Sequence, residues 1–473
     1  MPVGKRTVVF SIFALAFCLF SFPDSVTAAH PGKWVVRSVN LEGYKQTKPS
    51  IILRELTFRT GDTLDLDRLD SEIRKTRENL TNTSLFTVVN IDTLGGSGDP
   101  RPLDVTVRVI ERWYIWPIPY LEFPEQNLNV WLRDPKFSHL TVGVNLAFNN
   151  ARGRNETLIL LMYFGYNMKF GFTYEIPYVN RKKTWGVGFG ADASLNHTLI
   201  VSVEDHGNVY AHLDDQFLQQ RYGAFVEVYH RPAWYLYQTL NVSYTHYFFA
   251  DTLRQVEGFF PQNTSLEQYF FSWTYKLKFD RRDDKSYPLK GYYADLILVQ
   301  NGIPGGSPNR FAVQSSARGY WKLAHRWYAA AGITGMASLP DLQPFYLQTG
   351  VGYGRDFLRG YDSQLIPGQH FLTSKNNIKF ALVPQRVVNL PFISSKKFSV
   401  VPCALYLGLF ADMGYVWNSD EVQSMNNTLT NSYLLGTGLE LDFSTYYDIV
   451  IGAGVSYNIQ GKPGAFIHLM API

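Results

Sequence analysis

Residues 140–148 read LTVGVNLAF, and the alternation in this stretch decides the fold. Leucine, valine and phenylalanine occupy every second position, with threonine, glycine, asparagine and alanine between them, which is the period of a β-strand. The same alternation recurs at 240–245, 433–442 and 449–456. Segments of about ten residues with one apolar face and one small or polar face are typical of transmembrane β-barrels. The stretch therefore predicts one strand of a barrel that crosses a membrane.

Sixteen such segments follow one another from residue 115 to the end of the chain. An even number of antiparallel strands places both ends of the barrel chain on one side. It also places the longest connections together on the other, outer side; these are 196–220, 249–268 and 337–375. The segments lie near 115–123, 140–148, 157–166, 168–174, 186–195, 221–229, 238–248, 269–279, 291–300, 310–323, 327–336, 376–384, 404–418, 432–442, 448–458 and 465–473.

The composition agrees with a sheet that faces lipid. The chain has 30 Tyr, 33 Phe, 10 Trp and 37 Gly, and 18% of its residues are charged, whereas soluble domains carry about 25%. An array of soluble β-sandwiches is the alternative, and the strand pattern favours the barrel. The net charge of +4 is small, so no nucleic-acid partner is expected.

The first residues are predicted to be a signal peptide, 1–29. Two basic residues precede an apolar stretch at 8–22, and small residues follow it, which is the pattern of a secretory signal. A lipoprotein anchor at Cys18 is the alternative, but Phe17 occupies a position where such an anchor needs a small residue. Without the signal, Cys403 is the single cysteine, so no internal disulfide is expected.

Residues 34–112 follow a different pattern, that of one small α+β domain. Two amphipathic helices lie between a first strand and two later ones, and Asp65 or Asp67 is available to cap the second helix. The predicted elements are a strand at 35–41, helices at 49–56 and 66–80, and strands at 87–94 and 103–110.

Three short motifs occur in a fixed order along the barrel region. Residues 279–283 read FDRRD, 357–361 read FLRGY and 410–414 read FADMG. On these motifs the chain resembles the outer-membrane protein assembly superfamily, which includes BamA and TamA. The resemblance implies one POTRA domain (polypeptide-transport-associated) at 34–112 and a sixteen-stranded outer-membrane barrel at 113–473.

The resemblance also implies which residues matter. They are Arg359, Gly360 and Tyr361 at the tip of the long sixth outer loop, Phe410, Asp412 and Gly414 on a strand facing the lumen, and Asp280, Arg282, Asp283, Pro288 and Gly291 in a periplasmic turn. Two features depart from the family pattern. The main assembly proteins carry several POTRA domains where this chain has room for one, and the chain ends in Ile473 rather than an aromatic residue.

Asp412 is predicted to face the lumen, because the alternation points Leu407 and Leu409 toward lipid and Phe410 inward with it. Arg359 lies in a loop too long for a simple turn. If that loop folds back into the barrel, the guanidinium can donate two parallel hydrogen bonds to Asp412. The resemblance implies the same pair. The alternative is that Arg359 is an ordinary solvated loop residue.

Catalytic and cofactor sites are not expected. The glycine series at 186–190, 350–354 and 452–454 opens no helix, so a phosphate-binding loop is rejected. The ten histidines are scattered, so no metal site is predicted, and no Gly-x-Ser-x-Gly elbow occurs. The basic clusters at 181–183 and 281–282 are predicted to be solvated periplasmic turns.

The resemblance implies a factor that inserts or translocates proteins in the bacterial cell outer membrane, with its POTRA domain in the periplasm and without chemical reaction. Its partners would be outer-membrane lipid, unfolded or nascent outer-membrane or secreted proteins, and periplasmic or lipoprotein partners of POTRA. Prolines at 117, 119, 124 and 472 predict that the first and last strands pair over a short length only. An exposed strand edge is a template for an incoming strand. A transporter for one secreted substrate, a passive pore and an outer-membrane enzyme remain the alternatives.

Overall fold

A small α+β domain precedes a sheet of sixteen antiparallel strands. The structure, a computed structural model, describes residues 33–469 except 99, 123–136, 261–263, 304–305, 307, 342, 353–355, 363 and 419–426. The predicted signal peptide and the prolines at 124 and 472 lie outside the described residues. Among the residues described, none of the helices has the length and apolar character needed to cross a membrane.

The small domain has a four-stranded sheet in the order β2-β1-β4-β3, with β1 parallel to β4. A 3-10 turn at 66–68 precedes its second helix. Its elements are β1 (Lys33–Glu42), α1 (Pro49–Glu55), β2 (Thr63–Asp65), α2 (Leu69–Thr81), β3 (Phe86–Gly95) and β4 (Arg101–Glu111).

The predicted order of this domain is confirmed, with one addition and one correction. Val105 and Val107 of β4 are fully buried beneath the helices together with Ile52 and Leu80, as the alternation of β4 predicts. The short strand β2 was not predicted. The prediction that Asp65 or Asp67 caps the second helix was wrong, because Arg68 occupies the N-cap of α2 and no side chain caps it.

The remaining elements belong to the barrel and its connections. They are β5 (Ile115–Glu122), β6 (Thr141–Ala151), β7 (Glu156–Gly165), β8 (Met168–Ile176), β9 (Trp185–Asn196), β10 (Thr198–Glu204), β11 (Gly207–His212), β12 (Gln219–His230), β13 (Leu236–Phe249), β14 (Glu267–Asp280), β15 (Gly291–Asn301), β16 (Arg310–Ala324), β17 (Trp327–Leu339), β18 (Thr349–Val351), β19 (Ile366–Gly368), β20 (His370–Asn389), α3 (Lys396–Ser399), β21 (Val400–Trp417), β22 (Tyr433–Ser444), β23 (Val450–Asn458) and β24 (Pro463–His468).

Sixteen of these strands form one sheet in chain order, in which each strand pairs with the barrel strands before and after it, except that β5 and β24 at the two ends have one partner each. Each of the sixteen predicted segments overlaps one of them within the described residues, so the predicted fold is confirmed. The inward and outward faces also follow the prediction. Leu407 and Leu409 of β21 are 42% and 56% exposed, whereas Tyr406 and Phe410 are 3% and 2% exposed.

Two of the long outer connections contain strands that were not predicted. Strands β10 and β11 form a hairpin within 196–220, and β18 pairs with β19 within 337–375. The outer connections pack on one another around a shared apolar core, which consists of Val201, Leu218, Phe249, Leu253 and Phe259.

Candidate functional site

Arg359 is fully buried, and its guanidinium lies against Asp412. Its Nε donates to Oδ2 of Asp412 at 2.8 Å, and its Nη2 donates to Oδ1 at 2.5 Å. The two bonds are the parallel pair that the sequence analysis expects. The loop that carries Arg359 therefore enters the lumen, and the solvated-loop alternative does not hold in this structure.

Two further side chains complete the surroundings of Arg359. Its Nη1 donates to Oε2 of Glu440 at 2.8 Å, and its Nη2 donates to Oδ1 of Asn377 at 2.6 Å. The guanidinium carbon also lies 4.1 Å from the centre of the Phe410 ring, where a cation is attracted by the face of the ring. Glu440 belongs to the alternating stretch 433–442, but neither its contact with Arg359 nor that of Asn377 was predicted.

Glycines let the loop lie directly on the barrel wall. A Cβ at Gly436 would lie 1.8 Å from the carbonyl oxygen of Arg359, and one at Gly414 would lie 2.6 Å from a methyl carbon of Leu358. Gly360 has a positive φ of 94°, which favours glycine. Gly414 of the lumen motif therefore leaves room for Leu358 against the strand that carries Asp412.

Tyr361 and Leu358 anchor the loop on either side of Arg359. Both are nearly fully buried, and the backbone N–H of Leu435 donates to the hydroxyl of Tyr361 at 3.3 Å. They belong to an apolar cluster that joins the loop to the outer half of the wall. The other members are Met336, Val351, Ile366, Phe371, Val416, Leu429 and Leu434.

The turn between β14 and β15 is held by its own motif residues. Arg282 donates to both carboxylate oxygens of Asp280 at 2.7 and 2.8 Å. Oδ1 of Asp283 accepts three backbone N–H bonds within the turn. A Cβ at Gly291 would lie 2.1 Å from a backbone oxygen, and Pro288 is buried.

The prediction of a plain solvated turn at 281–282 was wrong for Arg282. Its side chain is 13% exposed and that of its partner Asp280 is 1% exposed. The turn also connects the small domain to the lumen. On one side, Asn82 donates to the carbonyl oxygen of Arg282 at 3.0 Å. On the other, the hydroxyl of Tyr287 donates to Asp442 at 2.7 Å.

The small domain is fixed to the rim turns of the barrel by buried charges. Glu55 accepts hydrogen bonds from Arg231 at 2.7 and 2.8 Å and from Arg54 at 3.0 Å. Burial alone would raise the pKa of Glu55, but the positive charges and hydrogen bonds of Arg231 and Arg54 outweigh it and hold that pKa below its ordinary value. Glu55 is therefore a carboxylate in the docked domain.

A second charged contact ties the small domain to the turn between β22 and β23. Arg112 donates to both oxygens of Asp448 at 2.7 and 2.8 Å, and the hydroxyl of Ser84 donates to Asp448 at 2.8 Å. Strand β5 begins three residues after Arg112. The entry to the barrel wall is thus bound to the turn before its last two strands.

The first and last strands of the sheet, β5 and β24, form a seam. Strand β5 pairs only with β6 and β24 only with β23, and no ladder joins β5 to β24 within the described residues. The prolines predict that these two strands pair over a short length, and in the described segments they do not pair at all.

Among the residues that the structure describes, no group of three or more His, Cys, Asp or Glu side chains is placed to hold a metal ion.

Comparisons with known proteins agree on the family. The Omp85 superfamily domain matches residues 150–446, and the POTRA model, described as a surface antigen variable number repeat, matches residues 35–112. No curated protein matches the chain.

Two solved structures share the fold. BamA from Haemophilus ducreyi lacking POTRA domains 1–3 is 17% identical, with a TM-score of 0.50 over 92% of this chain and 83% of that one. CdiB from Acinetobacter baumannii is 15% identical, with a TM-score of 0.50 over 92% of this chain and 74% of that one. At these identities the likeness concerns the fold alone. The match of the superfamily domain covers more than half of the chain, and the chain therefore belongs to the Omp85 superfamily, with a single POTRA domain.

Proposed function

We propose that the chain inserts unfolded proteins into the outer membrane by opening its barrel laterally between β5 and β24. The family and the fold imply an outer-membrane protein with a periplasmic POTRA domain. One observation carries the proposal: the seam has no ladder in the described residues. Free backbone N–H and C=O groups along a strand edge are a template for an incoming strand.

The prolines of β5 favour an opening seam. Pro117 and Pro119 are two residues apart, so their nitrogens point to the same side of the strand. Neither has an N–H to donate, while the pairing of β5 with β6 runs unbroken from residue 115 to residue 122. Any ladder that forms between β5 and β24 therefore has fewer hydrogen bonds than the other ladders of the wall and is the easiest to separate.

The docked loop favours a lateral route over a pore. Arg359 is bound to three strands of the wall through Asn377, Asp412 and Glu440. The loop thus occupies part of the lumen, where a passive pore needs open space. We expect single-channel conductance of the purified protein in planar bilayers to be far below that of an open sixteen-stranded porin.

The POTRA sheet offers a second edge for partners. Its order places β3 at one edge, paired on one side with β4. We propose that unfolded clients, or periplasmic and lipoprotein partners, pair with this edge before they reach the seam. No chemical reaction is part of the proposed function.

Depletion of the protein tests the proposal. Outer-membrane and secreted proteomes are compared before and after depletion, with Arg359→Ala supplied in place of the native chain as a second arm. We expect several outer-membrane barrel proteins to fall together. Loss of one secreted protein with an unchanged outer membrane would support the dedicated transporter instead.

A further inference from the structure

The hairpin between β20 and β21 extends past the barrel wall. Strand β17 pairs with β20 only as far as Phe380, and β22 pairs with β21 only from Ala404 onward. Between these points β20 and β21 continue to pair with each other as far as Asn389 and Val400. Residues 382–403, called here the rim hairpin, therefore project on the POTRA side of the barrel. The predicted segment at 376–384 did not show this length.

The tip of the rim hairpin contacts residues from both sides of the seam. The ring of Phe398 lies 5.9 Å from that of Trp113 and 6.0 Å from that of Tyr447. The ammonium group of Lys397 lies 5.8 and 5.7 Å from the rings of Trp113 and Tyr114. Trp113 stands two residues before β5, whereas Tyr447 lies in the turn between β22 and β23. The tip thus passes beneath the seam.

Direct contacts join the same two sides. The backbone N–H of Trp113 donates to the hydroxyl of Tyr447 at 3.1 Å, and this hydroxyl donates to the carbonyl oxygen of Lys397 at 3.0 Å. The rings of Trp116 and Tyr447 meet edge to face at 4.9 Å. With the Arg112–Asp448 ion pair, these residues form the seam base, defined as Arg112, Trp113, Trp116, Lys397, Phe398, Tyr447 and Asp448.

Opening the seam base and opening the seam above it break different contacts. Separation at the base breaks a bidentate ion pair, which is among the stronger hydrogen-bonded contacts, as well as several aromatic contacts. Separation above it breaks no ladder bond between β5 and β24 in the described residues. Opening above a closed base is therefore the less costly movement.

We propose that the seam base is a hinge that stays closed while the seam opens above it, with Phe398 and Lys397 as the positioning residues that hold β5 over the hinge. This inference rests on the proposed function, because it assumes that the seam opens during insertion. In this proposal the rim hairpin, which lies outside the barrel wall, holds the seam base closed.

Two cross-linked proteins test the hinge. Both carry Cys403→Ser, so that the introduced cysteines are the only ones outside the predicted signal peptide. The first pair, Trp113→Cys with Phe398→Cys, locks the base. The second pair, Leu121→Cys with Ala465→Cys, locks the seam above it. Each is joined by a bifunctional maleimide with a reducible centre, and insertion of a small urea-unfolded outer-membrane barrel into liposomes is measured.

We expect the base lock to insert at least as well as the same protein before cross-linking or after reduction, because the cross-link replaces the contacts that are lost with Trp113 and Phe398. The seam lock is expected to abolish insertion, and reductant is expected to restore it. If both locks abolish insertion, the base must also open and the hinge is refuted, while lateral opening stands. If the seam lock has no effect, lateral opening fails, and the hinge fails with it.

Substitutions at the tip give an independent measure. Phe398→Ala is expected to lower insertion and to speed thiol labelling of a cysteine at Trp116, because the base is loosened. Phe398→Tyr keeps the ring and is expected to restore both values. Phe392→Ala is the matched control, since Phe392 lies on the same hairpin and is 79% exposed. Equal effects of Phe398→Ala and Phe392→Ala would overturn the proposal.

Discussion

Arg359 carries a permanent charge into a place where water does not reach it, and its neighbours explain why this is tolerated. The guanidinium donates to Asp412, Glu440 and Asn377, so its donors are satisfied as buried charges require. A buried ion pair adds little net stability compared with an apolar pair, but removal of one partner leaves an unpaired charge. The pair is therefore better understood as a device that fixes the loop than as a source of barrel stability.

Arg359→Ala and Asp412→Ala are expected to release the loop. Each leaves buried charge without its partner, at a cost of about 3–5 kcal/mol. Protease sensitivity within 340–369 should rise and insertion should fall, while the many paired strands still assemble. Arg359→Lys keeps the charge but loses the planar fork, so we expect partial rescue.

A double-mutant cycle tests whether Arg359 and Asp412 act as partners, with the protection of the loop from protease as the readout. If the two alanine effects add without coupling, Arg359 and Asp412 do not act as partners. Arg221→Ala is the matched control, because Asp192, the ion-pair partner of Arg221, belongs to the wall and not to the loop. We expect that substitution to leave the loop protected.

At the scale of elements, the loop packs directly against strand β22 because Gly436 has no side chain at the point where the loop crosses that strand. Gly436→Ala adds one methyl group 1.8 Å from the carbonyl oxygen of Arg359, a distance that no backbone atom can tolerate. We expect Gly436→Ala to raise protease sensitivity of the loop as Arg359→Ala does, with all charges present. Gly188→Ala is the control, because the three atoms nearest to the new methyl group all belong to the side chain of Tyr229. An unchanged loop in Gly436→Ala would show that the loop docks elsewhere.

The strands were predictable because lipid and lumen impose opposite polarity on alternate residues of every segment. The same alternation placed Asp412 and Glu440 inside. It could not show that Asn377 and Glu440 both bind Arg359. The alternation predicts on which face of the sheet a side chain lies, but not which loop residue it contacts. The rim hairpin was missed for a related reason: residues 382–403 lie beyond the wall, where lipid and lumen no longer impose the alternation.

At the scale of the whole molecule, the POTRA domain docks on the turns at one end of the barrel. This predicts that the POTRA domain and these turns face the periplasm and that the long connections face outward. Protease added to intact cells should cut only within the outer connections, including 249–268. Residues 34–112 should become accessible only after the outer membrane is permeabilised. Cleavage between 34 and 112 in intact cells would contradict this arrangement.

The docking of POTRA on the barrel is expected to depend on pH through Glu55. The pKa of this carboxyl is lower in the docked state than its ordinary value of 4.5. A lowered pKa means that the charge of Glu55 contributes its full share of docking free energy above pH 4.5, and that this share is lost as the pH falls through the lowered pKa. Protonation of Glu55 therefore leaves the partly buried guanidinium groups of Arg231 and Arg54 without their counter-ion.

Spin labels on cysteines at the exposed positions Arg68 and Lys182, in Cys403→Ser, measure the docking directly. We expect a narrow distance distribution at pH 7 that broadens progressively below pH 4.5. Glu55→Gln should be broad already at pH 7 and should change little with pH. Asp104→Asn is the control, because Asp104 pairs with Arg37 on the surface of the same domain, away from the barrel. A narrow distribution for Glu55→Gln at pH 7 would show that the Arg112–Asp448 contact and the hydrogen bonds between the Asn82 side chain and the backbone of the β14–β15 turn hold the domain without Glu55.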